Sequence, residues 1–294
     1  MKMKRWLSYV AIAVLALALV IGAACGGEGE EEEEGVTELK MGVGIPMTGG
    51  YGAVVGVPAK YAFSMAVEKI GQFTVAGEEY RWKLVFEDNV GTVAGGAAAT
   101  TKFIFEHHVD FMHQATADPA LAAQPICQEK GIILDVAGAN PEHFALDRPL
   151  FFQIAATWVV NMAPFFDWLS KEHPEVKRVA FVAPDDNTGY SLGDAIEACA
   201  DHYGLEVVAG EYTPTGMTEY FPVVTRVMSK DPDLFLTTGV EATEVMWDMG
   251  YEGLAATWYW LPSQADDAGW DRCQGCLFFM PIPLAGVWPE AEAL

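Results

Sequence analysis

From Leu39 onward, short runs of aliphatic and β-branched residues alternate with longer segments whose apolar positions recur every three or four residues. These are the signatures of strands and amphipathic helices. The short runs predict strands over residues 39–45, 82–87, 109–112, 132–136, 179–183, 206–210 and 234–237. The amphipathic segments predict helices over residues 58–70, 94–106, 119–129, 159–170, 192–203, 221–228 and 242–249. Regular βα alternation builds parallel sheets covered by helices, so the expected class is α/β.

The rhythm breaks once, over residues 148–158. Arg148-Pro149-Leu150 leads into Phe151-Phe152-Gln153-Ile154, and the βα pattern then restarts with its own first helix. This reads as a crossing between a first lobe over residues 37–155 and a second over 156–280, with 281–294 beginning a return to the first. Ligands of open α/β sheets settle at the carboxyl ends of the strands, where the strand order reverses. Two such lobes facing each other would form a cleft.

The N-terminus carries a different pattern. Lys2, Lys4 and Arg5 precede residues 10–21, which hold no polar side chain, and this predicts a signal peptide over residues 1–24. The run is too short to span a hydrocarbon core comfortably, which takes about 20 residues. Gly22-Ala23-Ala24-Cys25 resembles the lipobox of bacterial lipoproteins and predicts lipid on Cys25, although a larger aliphatic residue usually stands where Gly22 does. Plain cleavage beside an incidental cysteine is the alternative. Beyond it Gly26, Gly27 and a glutamate run give an extended acidic tether over residues 25–36, since like charges repel and nothing apolar is present to collapse.

Composition narrows the classes. The 294 residues are 51% hydrophobic with nine Trp and sixteen Phe, enough to bury one large core or two medium ones. The formal charge of -24 becomes -27 when Lys2, Lys4 and Arg5 leave with the signal, which argues against nucleic acid as a partner. No second apolar stretch is long enough to cross a bilayer, so only the anchor is expected to meet lipid. Cys127 and Cys199 fall in helical segments and read as small core residues, while Cys273-x-x-Cys276 fits a small disulfide in an oxidising compartment. A zinc site would need a second ligand pair at matching spacing, so no metal is expected. His107, His108, His113, His143, His173 and His202 read as surface or helix-end residues, with His113 near the proposed cleft.

Several segments, in order, carry a family likeness: MGVGIPMTGGYG over residues 41–52, VFEDN over 85–89, GIIL over 131–134, AGANP over 137–141 and DDNTGYSLG over 185–193. Together they resemble the periplasmic binding proteins of the leucine/isoleucine/valine-binding family, the receptor subunits of ATP-driven importers, across roughly residues 39–280. The resemblance implies two Rossmann-like lobes with parallel sheets joined by a hinge, closing on a small solute handed to ABC permease subunits in the membrane. It implies no cofactor and no catalysis. The chain stops where the family's would be returning to the first lobe, so the C-terminal part of that lobe is expected to be missing.

Carried across, the family's ligand contacts fall on Tyr51, on Gln114, Ala115 and Thr116, and on Ala137, Gly138, Ala139 and Asn140 in the first lobe. The second lobe would offer Tyr190, the helix start at Val240 and Glu241, and the loop at Ser263 and Gln264. Backbone N–H groups near Pro119, with the Thr116 hydroxyl, suit a carboxylate at a helix N-terminus; the plain alternative for Thr116 is a helix cap. Amino-acid binders of the family place an acid near Gln264, whereas Asp266 and Asp267 here lie two and three residues further on. The expected solute is therefore an amino acid or a related carboxylate, amide or aromatic compound. Trp247, Trp258, Tyr259, Trp260 and Trp270 either line the cleft or pack the second lobe, and Trp158 stands at the crossing as a further candidate contact.

Three alternatives remain. Gly189-Tyr190-Ser191-Leu192-Gly193 satisfies the nucleophile elbow of serine hydrolases, but residues 184–188 separate Ser191 from its strand and the only later histidine is His202 in the same helix. The glycines at 42, 44, 49, 50 and 52 invite a dinucleotide reading, yet no G-x-G-x-x-G fits them. A ligand sensor feeding a signalling partner would share the fold and the cleft.

Overall fold

A computed structural model describes residues 35–144, 146–257, 269, 271 and 275–278. The signal segment, Cys25, nearly all of the tether, Trp258, Tyr259, Trp260, Ser263, Gln264, Asp266, Asp267, Trp270, Cys273 and residues 281–294 lie outside the described residues. No described helix is long and apolar enough to cross a membrane.

The described residues divide into two compact units, the smaller comprising residues 35–38 and 72–81. Within it β2 (Gln72–Val75) pairs antiparallel with the first half of β3 (Glu78–Asp88). The turn between them is Ala76-Gly77, both at positive φ (54° and 91°), the geometry that matches the twist of a two-residue hairpin. Phe73 stacks on Tyr80, and Arg81 meets Glu38 at 3.5 Å.

The larger unit holds two sheets. In the first, the neighbours run β3, β1 (Val36–Ile45), β4 (Phe111–Gln114), β5 (Ile133–Val136) and β6 (Phe151–Gln153). In the second they run β11 (Leu277–Phe278), β10 (Leu254–Thr257), β9 (Leu234–Thr237), β7 (Arg178–Pro184) and β8 (Glu206–Thr213), all parallel. With the hairpin strand set aside, both sheets have the doubly wound order 2-1-3-4-5. Each therefore reverses direction beside its own first strand, between β1 and β4 and between β7 and β9.

The second sheet shows why its strands read as continuous apolar runs. Val179, Phe181 and Ala183 face one core with Leu234 and Leu236, while Ala180 and Val182 face another with Phe235. A strand buried on both faces has no polar side to alternate with. On the first face lie α4 (Trp158–Glu172) and α5 (Asn187–Tyr203), contributing Trp158, Phe166, Leu169 and Ile196; on the other lie α6 (Phe221–Met228) and α7 (Val240–Asp248). The first sheet packs Met112, Leu134 and Val136 against α2 (Val93–Lys102), α3 (Ala117–Lys130) and Phe103 just beyond α2. On its other face α1 (Val57–Ile70) leans on Val43 and Ile45 through Ala59 and Phe63, yet has no fully buried residue.

Several boundaries differ from the sequence expectation. The helix expected over 192–203 starts at Asn187, because Asp186 caps it by accepting a hydrogen bond from Gly189 N (2.9 Å). The helix expected over 94–106 ends at Lys102 and continues as a π segment, Phe103–His107, closed by His108 at φ 55°. The strands β2 and β6 were not expected: β2 is half of a short hairpin, and β6 has three residues inside the crossing. Two histidines depart from the surface expectation, since His113 and His143 are buried. Each is tolerated because it has a polar partner inside, Asp135 at 2.8 Å and Gln153 at 2.7 Å. Cys127 and Cys199 are core residues as expected; burial pushes the Cys127 thiol up to about 12 and raises that of Cys199.

Gly189 sits where a Cβ would stand 1.8 Å from the Pro184 carbonyl oxygen, so α5 can start beside the end of β7 only with glycine there. Gly189→Ala is expected to destabilise the fold by about 1–3 kcal/mol, the usual range for overpacking. Urea unfolding measures this, and a variant as stable as the parent would show that the approach is not required.

Candidate functional site

The loops that leave the two reversal points define the candidate site. In the first sheet this is the loop after β1, and its shape is fixed by one carboxylate. Asp88 accepts hydrogen bonds from Met47 N (2.9 Å), Val90 N (2.9 Å) and the Thr48 hydroxyl (2.5 Å). Burial works to raise the Asp88 carboxyl, but these donors prevail and hold it below the usual carboxylate range. Gly56 packs against Pro46, where a Cβ would meet the carbonyl oxygen at 2.0 Å. Close backbone approach therefore accounts for this glycine, and Asp88 serves as the anchor of the loop.

The loop carries Gly50 and Tyr51 across to the second sheet. The Tyr51 hydroxyl donates to Asp186 Oδ2 (2.6 Å), and the Thr215 hydroxyl approaches the same oxygen at 3.5 Å. Gly50 abuts Thr215 and Gly216, again at a distance that leaves no room for a side chain. A second bridge joins Asn187 Nδ2 to an oxygen of Asp118, in the first turn of α3. A third runs from Asn140 Nδ2 to the Asn187 carbonyl oxygen (3.5 Å). Burial and the nearby Asp186 charge raise the Asp118 carboxyl against the opposing pull of the Asn187 amide. The first residues of α5 thus receive contacts from three loops of the first sheet.

Beside these bridges lies a cavity of about 130 Å³. Gly50 and Tyr51 line it from the first sheet. Thr188, Thr213, Tyr220 and Glu241 are among the groups that line it from the second. Its walls are rich in hydroxyls, and Glu241, in the first turn of α7, is the charged side chain among its described lining residues. Burial raises the Tyr220 phenol, which keeps it a neutral hydrogen-bonding group. Among the described residues no cluster of three His, Cys, Asp or Glu side chains is arranged to hold a metal ion.

The expected contacts separate into groups. Tyr51 and Glu241 line the cavity, and Asn140 takes part in the bridging. Thr116 caps α3 by position but not by its hydroxyl, and its buried Oγ1 has no hydrogen-bond partner. Gln114 is fully buried: its Oε1 accepts from Asn89 Nδ2 (2.8 Å) and its Nε2 donates to Thr100 (3.2 Å), so it holds the strand ends together. Ala115 belongs to the first sheet's core, and Ala139 and Trp158 to the second's. Ala137 is exposed, and Gly138 is buried against His143 and Ala117. Tyr190 turns away from the cavity, with its hydroxyl on Asp185 (2.5 Å) and its ring against Tyr212. Gln264 lies outside the described residues.

Sequence reasoning missed Asp186, Asn187, Asp118 and the threonines of the cavity. The cap was legible in principle, since an Asp directly ahead of a helical run is a helix-start signal. The hydrolase elbow finds no support: Ser191 is buried in the second turn of α5 and donates to the carbonyl oxygens of Asn187 (2.8 Å) and Thr188 (3.1 Å).

Comparison with known proteins follows the same lines. A family model described as "Periplasmic binding protein" matches residues 38–252. An extracellular ligand-binding receptor from Rhodopseudomonas palustris superposes with a TM-score of 0.72 at 18% identity, over 83% of this chain and 67% of its own. A solute-binding protein of an ABC transporter from R. palustris, solved with 4-hydroxybenzoate, gives a TM-score of 0.68 at 20% identity, over 78% and 66% of the two chains. A leucine-binding protein from Thermotoga maritima gives 0.70 at 20% identity, over 82% and 69%. The chain thus spans about two thirds of the length of each of these structures.

Tyr51→Phe removes the phenol bridge but leaves the Asp186 cap, whereas Asp186→Ala removes both. Small-angle scattering is expected to show a larger radius of gyration for both variants. Urea unfolding is expected to show an additional loss of about 1 kcal/mol for Asp186→Ala alone, the usual worth of an N-cap. Equal stability losses would mean that Asp186 acts only as the partner of Tyr51.

Proposed function

Because the chain belongs to the periplasmic binding protein family, we propose that it is an extracytoplasmic solute-binding lipoprotein of an ABC importer. In this reading the lobes over residues 37–155 and 156–280 close on one small solute by a hinge motion. The solute's preference for the closed arrangement drives closure, and the closed form is what membrane permease subunits recognise. Lipid on Cys25 and the acidic tether over 25–36 keep the receptor at the outer face of the membrane, close to those subunits.

The observation that carries the reading is the hydroxyl-lined cavity at the reversal points, walled by Tyr51 from one side and Glu241 from the other. Open α/β sheets bind ligands at such points. Two further features support it: the Thr116 hydroxyl is buried without a partner at the start of α3, and α7 starts at Gly239 without a side-chain cap. The start of α7 lines the cavity and is open to hydrogen-bond acceptors of a solute, whereas the Thr116 hydroxyl would meet one only once uncovered. The solute class is a small amino acid or a related carboxylate, amide or aromatic compound. The structural relatives solved with 4-hydroxybenzoate and 3,4-dihydroxybenzoic acid, and the leucine-binding protein, fall within that range.

A thermal-shift screen of the mature chain against L-leucine, L-phenylalanine, 4-hydroxybenzoate and 3,4-dihydroxybenzoate tests this. A binder present at about 100 times its Kd should stabilise the protein by roughly 2.7 kcal/mol. If none of the four raises the melting temperature, and amides of the same size also fail, the proposed solute class is wrong.

A further inference from the structure

His143 sits behind the binding loops and is used by nothing described so far. It ends the short 3-10 turn Pro141–His143, which Asn140 caps by accepting from Glu142 N (2.8 Å). The ring is 1% exposed and packs against Phe151 of β6. Its Nδ1 lies 2.7 Å from Gln153 Oε1, and Gln153 Nε2 donates to the Ala155 carbonyl oxygen (2.7 Å). That second bond fixes which end of the Gln153 amide faces the ring: it is the oxygen, which can only accept. His143 Nδ1 therefore carries the hydrogen, and in the neutral ring Nε2 is a bare acceptor.

The far edge of the ring faces the main chain of Gly138 and Ala117. A Cβ on Gly138 would stand 2.9 Å from His143 Cε1 and 3.1 Å from Ala117 N, so ring, loop and helix start are in contact. Nε2 is buried there without a hydrogen bond of ordinary geometry. His143 thus links three elements. Gln153 and Ala155 belong to the crossing, residues 137–140 reach the second sheet through Asn140 and through Trp158 N, which donates to Ala139 O (3.3 Å), and Ala117 opens α3 beside Thr116.

We propose that His143 is a positioning residue for solute binding, holding loop 137–140 and the start of α3 to the crossing segment, and that protonation of its ring releases them. The inference rests on the solute-binding reading for its effect on affinity, but not for its effect on the loop. A second proton on the ring must go to Nε2, turning an acceptor into a buried donor facing main chain. Burial holds the ring below the usual histidine range and outweighs the Gln153 bond and the main-chain contacts of Ala117 and Gly138, which favour the charged ring. The charge of Arg148 adds a smaller push in the direction of burial. The charged or titratable groups on the elements around it are Asp147 and Arg148 ahead of β6, Asp118, Cys127, Glu129 and Lys130 on α3, Glu142 in its own turn, and the His113–Asp135 pair on β4 and β5. Arg148 donates to the Glu142 carbonyl oxygen and Asp118 is taken by Asn187. The sign follows: the folded state binds the proton less readily than the unfolded one, so stability is held above the ordinary histidine range and lost as pH falls below it.

The test is amide hydrogen exchange of the full ligand-free chain at residues 116–120 and 137–140 between about pH 5 and pH 8, corrected for intrinsic rates. The wild type is expected to lose about tenfold protection toward the acid end, and His143→Gln, which keeps a donor for Gln153 but cannot titrate, to show no such change. Gln153→Glu, whose carboxylate favours the protonated ring in the folded state, is expected to shrink the acid loss of protection, and it keeps the idea testable if His143→Gln folds poorly. A flat wild-type profile, or identical profiles in wild type and His143→Gln, overturns the proposal. In parallel, the Kd of whichever of L-leucine and 4-hydroxybenzoate binds is expected to weaken about tenfold toward acid pH in the wild type only. If neither binds, the solute reading fails while the exchange profiles still decide the role of His143.

Discussion

The carboxylate of Asp186 is the point on which the arrangement turns. One oxygen accepts the Gly189 amide and so decides where α5 begins; the other accepts the Tyr51 phenol and so decides where the loop after β1 comes to rest. A single side chain thus sets a helix start in one sheet's layer and the reach of a loop from the other. Charge-assisted bonds of this kind are stronger than neutral ones, and each is short enough to fix direction as well as distance. The neighbouring Asn187 extends the same logic by engaging Asp118 and Asn140.

The protein has placed its own acids at these helix starts. Asp186 caps α5, and Glu241 and Asp118 lie in the first turns of α7 and α3. Helix N-termini favour negative charge, so the fold satisfies part of that preference internally. A family built on one topology can in this way retain the crevice and change what the crevice accepts, through the few side chains that stand at the strand ends.

Much of the fold was legible because the central strands of the second sheet are buried on two faces. The runs over 179–183 and 234–237 have no polar side to blur them, and the structure keeps them as strands with little change. What escaped was short or depended on a cap. The hairpin turns on Ala76-Gly77, a pair with no strong turn signature, and β6 has only three residues. The site was less legible. Gln114 follows an apolar strand and could face either way; the fold turns it inward to join Asn89 and Thr100. Trp158 opens a helix at the crossing, but the core behind that helix claims it. Periodicity tells which positions share a face, and it does not tell which strand ends will meet across a gap.

The two buried thiols bear on how such a chain survives outside the cytoplasm. An oxidising compartment joins cysteines that are exposed as thiolates, and Cys127 and Cys199 are neither exposed nor readily ionised once α3 and α5 have packed. In an exported chain their vulnerability would be confined to the interval between translocation and folding. For these residues core packing serves as redox protection, and the speed with which the two helices dock sets how much of the chain escapes mispairing.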